Sequence, residues 1–332
     1  MESVLSRAKQ LRYAFYLLAG VIIFLVFPQF ISSYYVLLLT EILIYAIFAL
    51  SVNMLLGYTG LLSLGQAAFW GAGGYTVALL VVKAGVDNFW LCIGAALLVS
   101  AILGFVFGFL ALRTTGVFFI MITLALGQML WAIVWRWHSL TGGDDGLPGI
   151  TRPDLGLPWS LWDTTNFYYF ILIFFAIAVF LLYRITRSPF GRTLIGIREN
   201  ESRLQALGYN TWRYKYICFV IAAVFGGLAG ALKVYQDGFI SPTYCSLSVS
   251  AMVLLMAMIG GTRVFAGPVL GAGVVWIIRS IISSYTGYWN LILGIFMVIV
   301  VMFAPRGVAG YITQLRERYG ILKGRRYFQK LR

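Results

Sequence analysis

Hydrophobic runs of about twenty residues follow one another along most of this chain, separated by short polar stretches. A helix of that length crosses a hydrocarbon core of about 30 Å. The pattern predicts spans at 13–31, 34–56, 61–82, 89–112, 116–137, 166–184, 214–236, 247–261, 268–284 and 288–304. Glycine and polar residues interrupt 61–82, so a full span and a broken or re-entrant one both fit it. The expectation is an all-α integral membrane protein of about ten transmembrane helices. Residues 1–12 form an N-terminal tail, 13–304 the membrane domain and 305–332 a basic C-terminal tail. The basic start followed by an apolar run is read as a retained first span rather than a cleaved leader.

Composition supports this pattern. Hydrophobic residues make up 61% of the 332 and charged residues only 11%, with a mean hydropathy of +0.89. A water-soluble domain carries about 25% charge. The net charge of +14 raises the question of nucleic acid, but its placement answers otherwise. Lys and Arg gather in the N-terminal tail, in the segment from Arg184 to Lys215 and in the C-terminal tail, with Arg113 and Arg263 in short connections. This is the positive-inside pattern, so those segments and both termini are expected in the cytoplasm, with no nucleic-acid partner. An even number of spans agrees with two basic ends on one side.

Two loops stand out. The outer loop 138–165 contains the turn-rich, acidic stretch Thr141 to Gly149, which fits a solvated loop or a docking surface at the outer mouth. In the cytoplasmic segment 185–213, Ser188-Pro189-Phe190-Gly191 stops the preceding helix. Thr193 to Leu207 then places Leu194, Ile197, Leu204 and Leu207 among Arg198, Glu199, Glu201 and Arg203, and Gly208 follows as a stop. Mixed charge with an apolar stripe suits a soluble protein partner better than a lipid surface.

Glycine is abundant, and Gly104/Gly108, Gly226/Gly230 and Gly267/Gly271 have the spacing that lets helices approach closely in lipid. Two glycine-rich breaks, Gly57 to Gln66 and Gly260 to Pro268, interrupt hydrophobic segments in different halves. Freed backbone at membrane depth is tolerated only against protein or water, so such breaks point to a transport path. Glu41 is the one acid within an apolar run. A lipid-buried carboxylate is costly, so it must face protein, water or a cation, or lie at the outer interface. Asn53, Ser63, Gln66, Thr115, Thr123 and Gln128 also need partners inside the bundle. Glu41, Asn53, Gly57, Gly60, Ser63, Gly65, Gln66, Thr123 and Gln128 are therefore the candidate path residues. Lys233 and Arg279, near outer span ends, fit snorkelling to the interface.

There is no G-x-x-x-x-G-K-[ST] loop, no HExxH and no GxSxG in the chain. No catalytic residue and no cofactor of its own is expected, and transport energy must come from another subunit. With His138 the only histidine and Cys92, Cys218 and Cys245 the only cysteines, no metal site is expected.

Several segments in order, "NMLLGYTGLLSLGQAAFWGAGGYTVA" (Asn53 to Ala78), "TTGVFFIMITLALGQ" (Thr114 to Gln128), "TGGDDGLPGI" (Thr141 to Ile150), "SPFGRTLIGIRENESRLQALGYN" (Ser188 to Asn210) and "FAPRGVAG" (Phe303 to Gly310), resemble the LivM/LivH family of branched-chain amino-acid ABC permeases, on its LivM side. The resemblance covers about residues 35–310. "MIGGTRVFAGPVLGA" (Met258 to Ala272) departs from it, with Thr262-Arg263-Val264-Phe265 where Gly and Leu are usual. It implies an importer of the bacterial inner membrane, with a LivH-like sister permease, two cytoplasmic ATPase subunits that bind ATP, and a periplasmic binding protein delivering leucine, isoleucine or valine. It also implies that the segment around Arg192, Arg198, Glu199, Asn200, Glu201, Leu204, Leu207 and Gly208 is a coupling helix seated on an ATPase. Urea, amides, other amino acids and ribose-type sugars stay open as substrates, and a stand-alone carrier is the other class of reading.

Overall fold

The computed structural model describes residues 27–29, 31–153, 160–287, 291, 292, 294, 295 and 307. Of the expected spans, most of 288–304 and nearly all of 13–31 lie outside these residues, as does most of the C-terminal tail. The other eight appear as helices: α1 Ser33–Asn53, α2 Gln66–Ala78, α3 Phe89–Ala111, α4 Val117–Arg136, α5 Thr164–Arg187, then, after the amphipathic α6 Pro189–Ala206, α7 Thr211–Asp237, α8 Leu247–Gly260 and α9 Gly267–Tyr285. Six of these, counting α1 through Thr59, are long and apolar enough to cross a membrane: α1, α3, α4, α5, α7 and α9. The shorter two, α2 and α8, lie next to the glycine-rich breaks.

Local signals set the ends. Asn88 caps α3 by accepting from the Trp90 and Leu91 N–H groups, and Asn210 caps α7 by accepting from Arg213 N. Gly238, at φ 66°, closes α7 in the left-handed region that other residues rarely adopt. Ser188 caps α6, with Pro189 in its first turn where a missing N–H costs nothing.

The bundle is organised around α7, which packs on α1, α2 and α3. Its most apolar stretch is 78% buried, against 22% for α4 and 28% for α5, so α7 is core while α4 and α5 leave wide apolar faces for lipid or a partner. Close approach explains most of the paired glycines. A Cβ at Gly230 would overlap the Trp70 carbonyl, one at Gly271 the Met256 carbonyl, and one at Gly104 would stand 2.6 Å from the Ala223 Cβ. Gly226 differs: its nearest neighbours lie 3.6 Å away, so that position has room for a methyl.

The break at Gly57 to Gln66 has a definite form. Helix α1 widens into π-helical turns over Met54–Thr59, turns at Gly60 (φ 75°), runs unhelical to Gly65, and restarts as α2. The interrupted span 61–82 is therefore an unhelical entry followed by a helix from Gln66 that continues as π turns to Lys83.

The acidic loop is more than a solvated connection. After one helical turn, His138–Thr141, and a 3-10 turn, Gly143–Asp145, its short strand β1 (Leu147–Pro148) pairs antiparallel with β2 (Phe239–Ile240) just beyond α7. Leu147 and Ile150 are buried beneath it, so the loop is laced over this end of the bundle. Arg152 anchors its return by donating to the Leu161 and Trp162 carbonyls, and burial lowers the guanidinium below its ordinary value.

Candidate functional site

Three polar groupings emerge, and they divide the expected path residues. At the Asp237 end, Glu41 projects from α1 into a chain of charges and rings. Lys233 Nζ donates to Glu41 Oε1, and also to Asp237 Oδ1 at 2.7 Å. The second oxygen of Glu41 accepts from Trp276 Nε1 at 2.6 Å, and that of Asp237 from the Tyr244 hydroxyl. Burial, then the Asp237 carboxylate, pushes the Tyr244 hydroxyl well above its ordinary value, so it keeps its proton and remains a donor.

This corrects one expectation. Lys233 does not snorkel: it is 6% exposed and bound to two carboxylates. Two acids share the site, because Asp237 is the last residue of α7, one turn beyond Lys233.

A wall of rings backs the cluster. Tyr45 stacks on Trp276 with centroids 4.3 Å apart and meets Trp70 at 5.0 Å, while Phe48 stacks on Trp70 at 4.6 Å. The Arg279 guanidinium lies 4.3 Å from the Trp276 ring centre. All of these groups but Phe48, which lies behind Trp70, border a cavity of about 820 Å³, whose other wall is α8 with Val249, Met252 and Leu255. Sequence reasoning found only Glu41 here. The Lys233/Asp237 spacing of four residues was the available signal for the rest.

The second grouping is a tight polar joint inside the bundle. Ser63 accepts from Gln66 Nε2 at 3.2 Å, Leu64 N donates to the Thr123 hydroxyl at 3.3 Å, and Ala67 N donates to Ser250 of α8 at 2.8 Å. A Cβ at Gly65 would overlap the Thr123 carbonyl. Four expected path residues, Ser63, Gly65, Gln66 and Thr123, thus meet. The N–H groups of Gly65, Ala67 and Ala68 at the start of α2 are already engaged, so they form no open cradle. Gln66 Oε1 is buried without a hydrogen-bond partner. Gln128 lies half-buried on α4 and joins none of the three groupings.

The third grouping links the two glycine breaks. At Gly57 a Cβ would overlap both Asn53 Oδ1 and the Thr262 carbonyl, so breaks about two hundred residues apart touch. Asn53 Oδ1 is likewise buried and unpartnered. The Gly57 carbonyl, freed by the π turns, accepts from Arg198 Nη1 of α6, whose side chain also packs on Gly60.

Helix α6 itself bends: Asn200 has non-helical backbone (φ −160°, ψ 95°), and its side chain caps the following turn through Arg203 N at 3.0 Å. The expected coupling residues divide accordingly. Arg198 holds the first break, Glu201 binds Lys215 at 2.6 Å, and Leu204 packs on Gly196. Arg192, Glu199, Asn200, Leu207 and Gly208 face outward, Leu207 at 69% exposure.

A family model described as "branched-chain amino acid transport system / permease component" matches residues 34–302. The chain belongs to that family. The permease is 32% identical to the high-affinity branched-chain amino acid transport system permease protein LivM of Salmonella typhimurium, over 93% of this chain and 78% of the relative. The same figures hold for LivM of Escherichia coli. It is 24% identical to the LivH permease protein of Salmonella typhimurium, over 80% of this chain and 91% of that one. No solved structure matches it. The permease is LivM-like, a multi-pass membrane protein of a transport system.

Proposed function

We propose that the permease forms part of the path of an ATP-driven importer for leucine, isoleucine and valine. In this reading the Arg198 end faces the cytoplasm and the Asp237 end faces outward. The basic residues Arg113, Arg184, Arg187, Arg192, Arg203, Arg213 and Arg263 at the Arg198 end support that orientation, as do Asp87, Asp144, Asp145 and Asp163 at the other. Both tails then lie in the cytoplasm of a bacterial inner-membrane protein of about ten spans. The working assembly comprises a LivH-like sister permease, two ATPase subunits carrying the ATP, and a periplasmic binding protein at the outer mouth.

One observation carries the coupling role: Arg198 ties the exposed α6 to the carbonyl at the Gly57 break, which in turn touches the break at Thr262. A push on the outward face of α6 reaches the first break through a hydrogen bond and the second through a packing contact. The unpartnered Asn53 Oδ1 and Gln66 Oε1 lie beside the segments that this movement would shift.

The test is uptake of labelled leucine into vesicles, with urea and ribose as competitors. Uptake that needs ATP and the separate ATPase subunits, and that isoleucine and valine alone suppress, is expected. Uptake by this chain without an ATPase, or competition by urea or ribose, would overturn the reading.

A further inference from the structure

We infer that the cavity at the Asp237 end is a binding site for a zwitterionic amino acid with an apolar side chain. The inference rests on the transport reading above and gives it a location. The cavity wall carries Glu41, Asp237, Lys233 and Arg279, two charges of each sign that sum to zero. A lone cation or anion would unbalance such a wall, and an uncharged sugar or urea brings no charge to match either sign. A molecule with one charge of each sign matches it.

The arrangement is graded by depth. The Lys233 side chain is 7% exposed, whereas those of Glu41 and Asp237 are 27% and 32% exposed. Lys233 therefore stands behind the carboxylates as a positioning residue, and the cavity meets their oxygens. These oxygens receive the ligand ammonium. Arg279, resting on Trp276, offers the cation for the ligand carboxylate. The aliphatic side chain then falls toward Val249, Met252 and Leu255 on α8. About 820 Å³ lies within the range of small-molecule sites and exceeds what one amino acid fills, so the site is a vestibule with a defined wall.

Direct binding tests this without the binding protein. The full assembly, with its sister permease and ATPase subunits, is reconstituted free of nucleotide, and tritiated leucine is titrated by scintillation proximity. Leucinamide, which lacks the carboxylate, and 4-methylpentanoate, which lacks the ammonium, serve as competitors. Both should compete at least tenfold more weakly than leucine. Arg279→Gln should weaken leucine at least tenfold while leaving leucinamide unchanged. The double variant E41Q/D237N should weaken leucine and leucinamide but spare 4-methylpentanoate, a selectivity that misfolding would not produce. Equal competition by either analogue, or wild-type leucine affinity in both variants, overturns the site. If the wild-type assembly binds no leucine while cells still import it through this permease, the site falls and the transport reading stands. If cells import no leucine, both fall.

Discussion

At the scale of single residues, the ion cluster is where stability and chemistry meet. Lys233→Met leaves two carboxylates sharing a buried site without their cation. Loss of one partner from a buried pair costs about 3–5 kcal/mol. The detergent-solubilised variant should melt well below the wild type, and adding Glu41→Gln and Asp237→Asn should recover much of the loss. A single-variant Tm equal to wild type would show that Lys233 is not holding the pair. The glycines give a second contrast. Gly230→Ala drives a methyl into the Trp70 carbonyl and should destabilise by about 1–3 kcal/mol. Gly226→Ala meets its neighbours at ordinary van der Waals distance and should be neutral, or stabilising by about 0.5–1 kcal/mol through helix propensity. Of these features, Glu41 was visible in the chain because an acid inside an apolar run demands an explanation. Its cation was not, since Lys233 is distant in sequence and also lies near a span end. Gly226 and Gly230 looked alike because spacing reports which residues share a helix face, not what stands opposite each.

At the scale of elements, α6 is the piece with two loyalties. Its inward residues bind the bundle and its outward ones are exposed. Arg198→Ala removes the bond to the Gly57 carbonyl while leaving the outer face intact. Nucleotide hydrolysis by the reconstituted assembly should persist, and leucine transport per ATP should fall at least tenfold; retained stoichiometry would refute the linkage. Asn200→Ala removes the cap at the bend and should cost about 1 kcal/mol. The amphipathic pattern of Thr193 to Leu207 made the helix legible. The bend was hidden, because Asn suits a helix surface and a cap alike, and only the caught Arg203 N–H decides between them. The restart of α2 at Gln66 was hidden for a related reason. Gly60 and Gly65 announce a break, but where helix resumes depends on Thr123 and Ser250 supplying partners from other elements.

At the scale of the whole molecule, the orientation can be read chemically. Cys92, Cys218 and Cys245 are all buried and free, so an impermeant thiol reagent has little native background. Leu207→Cys should label only in inverted vesicles and Trp162→Cys only in intact spheroplasts; the reverse would turn the proposed topology over. The all-helical bundle was legible because lipid imposes long apolar runs that cannot be mistaken for an aqueous surface. The lacing of β1 to β2 was not, since two residues from each of two distant loops carry no periodicity.

The two walls of the cavity share a support. Tyr45, Trp70 and Trp276 line one side, across three helices. Opposite stands α8, a short helix that ends at Gly260 and Gly261, joins α2 through the Ser250 hydroxyl and packs closely on α9, where Gly271 abuts the Met256 carbonyl. Because α9 also carries Trp276, the two walls are tied through one helix, and travel of α9 should displace Trp276 and α8 together.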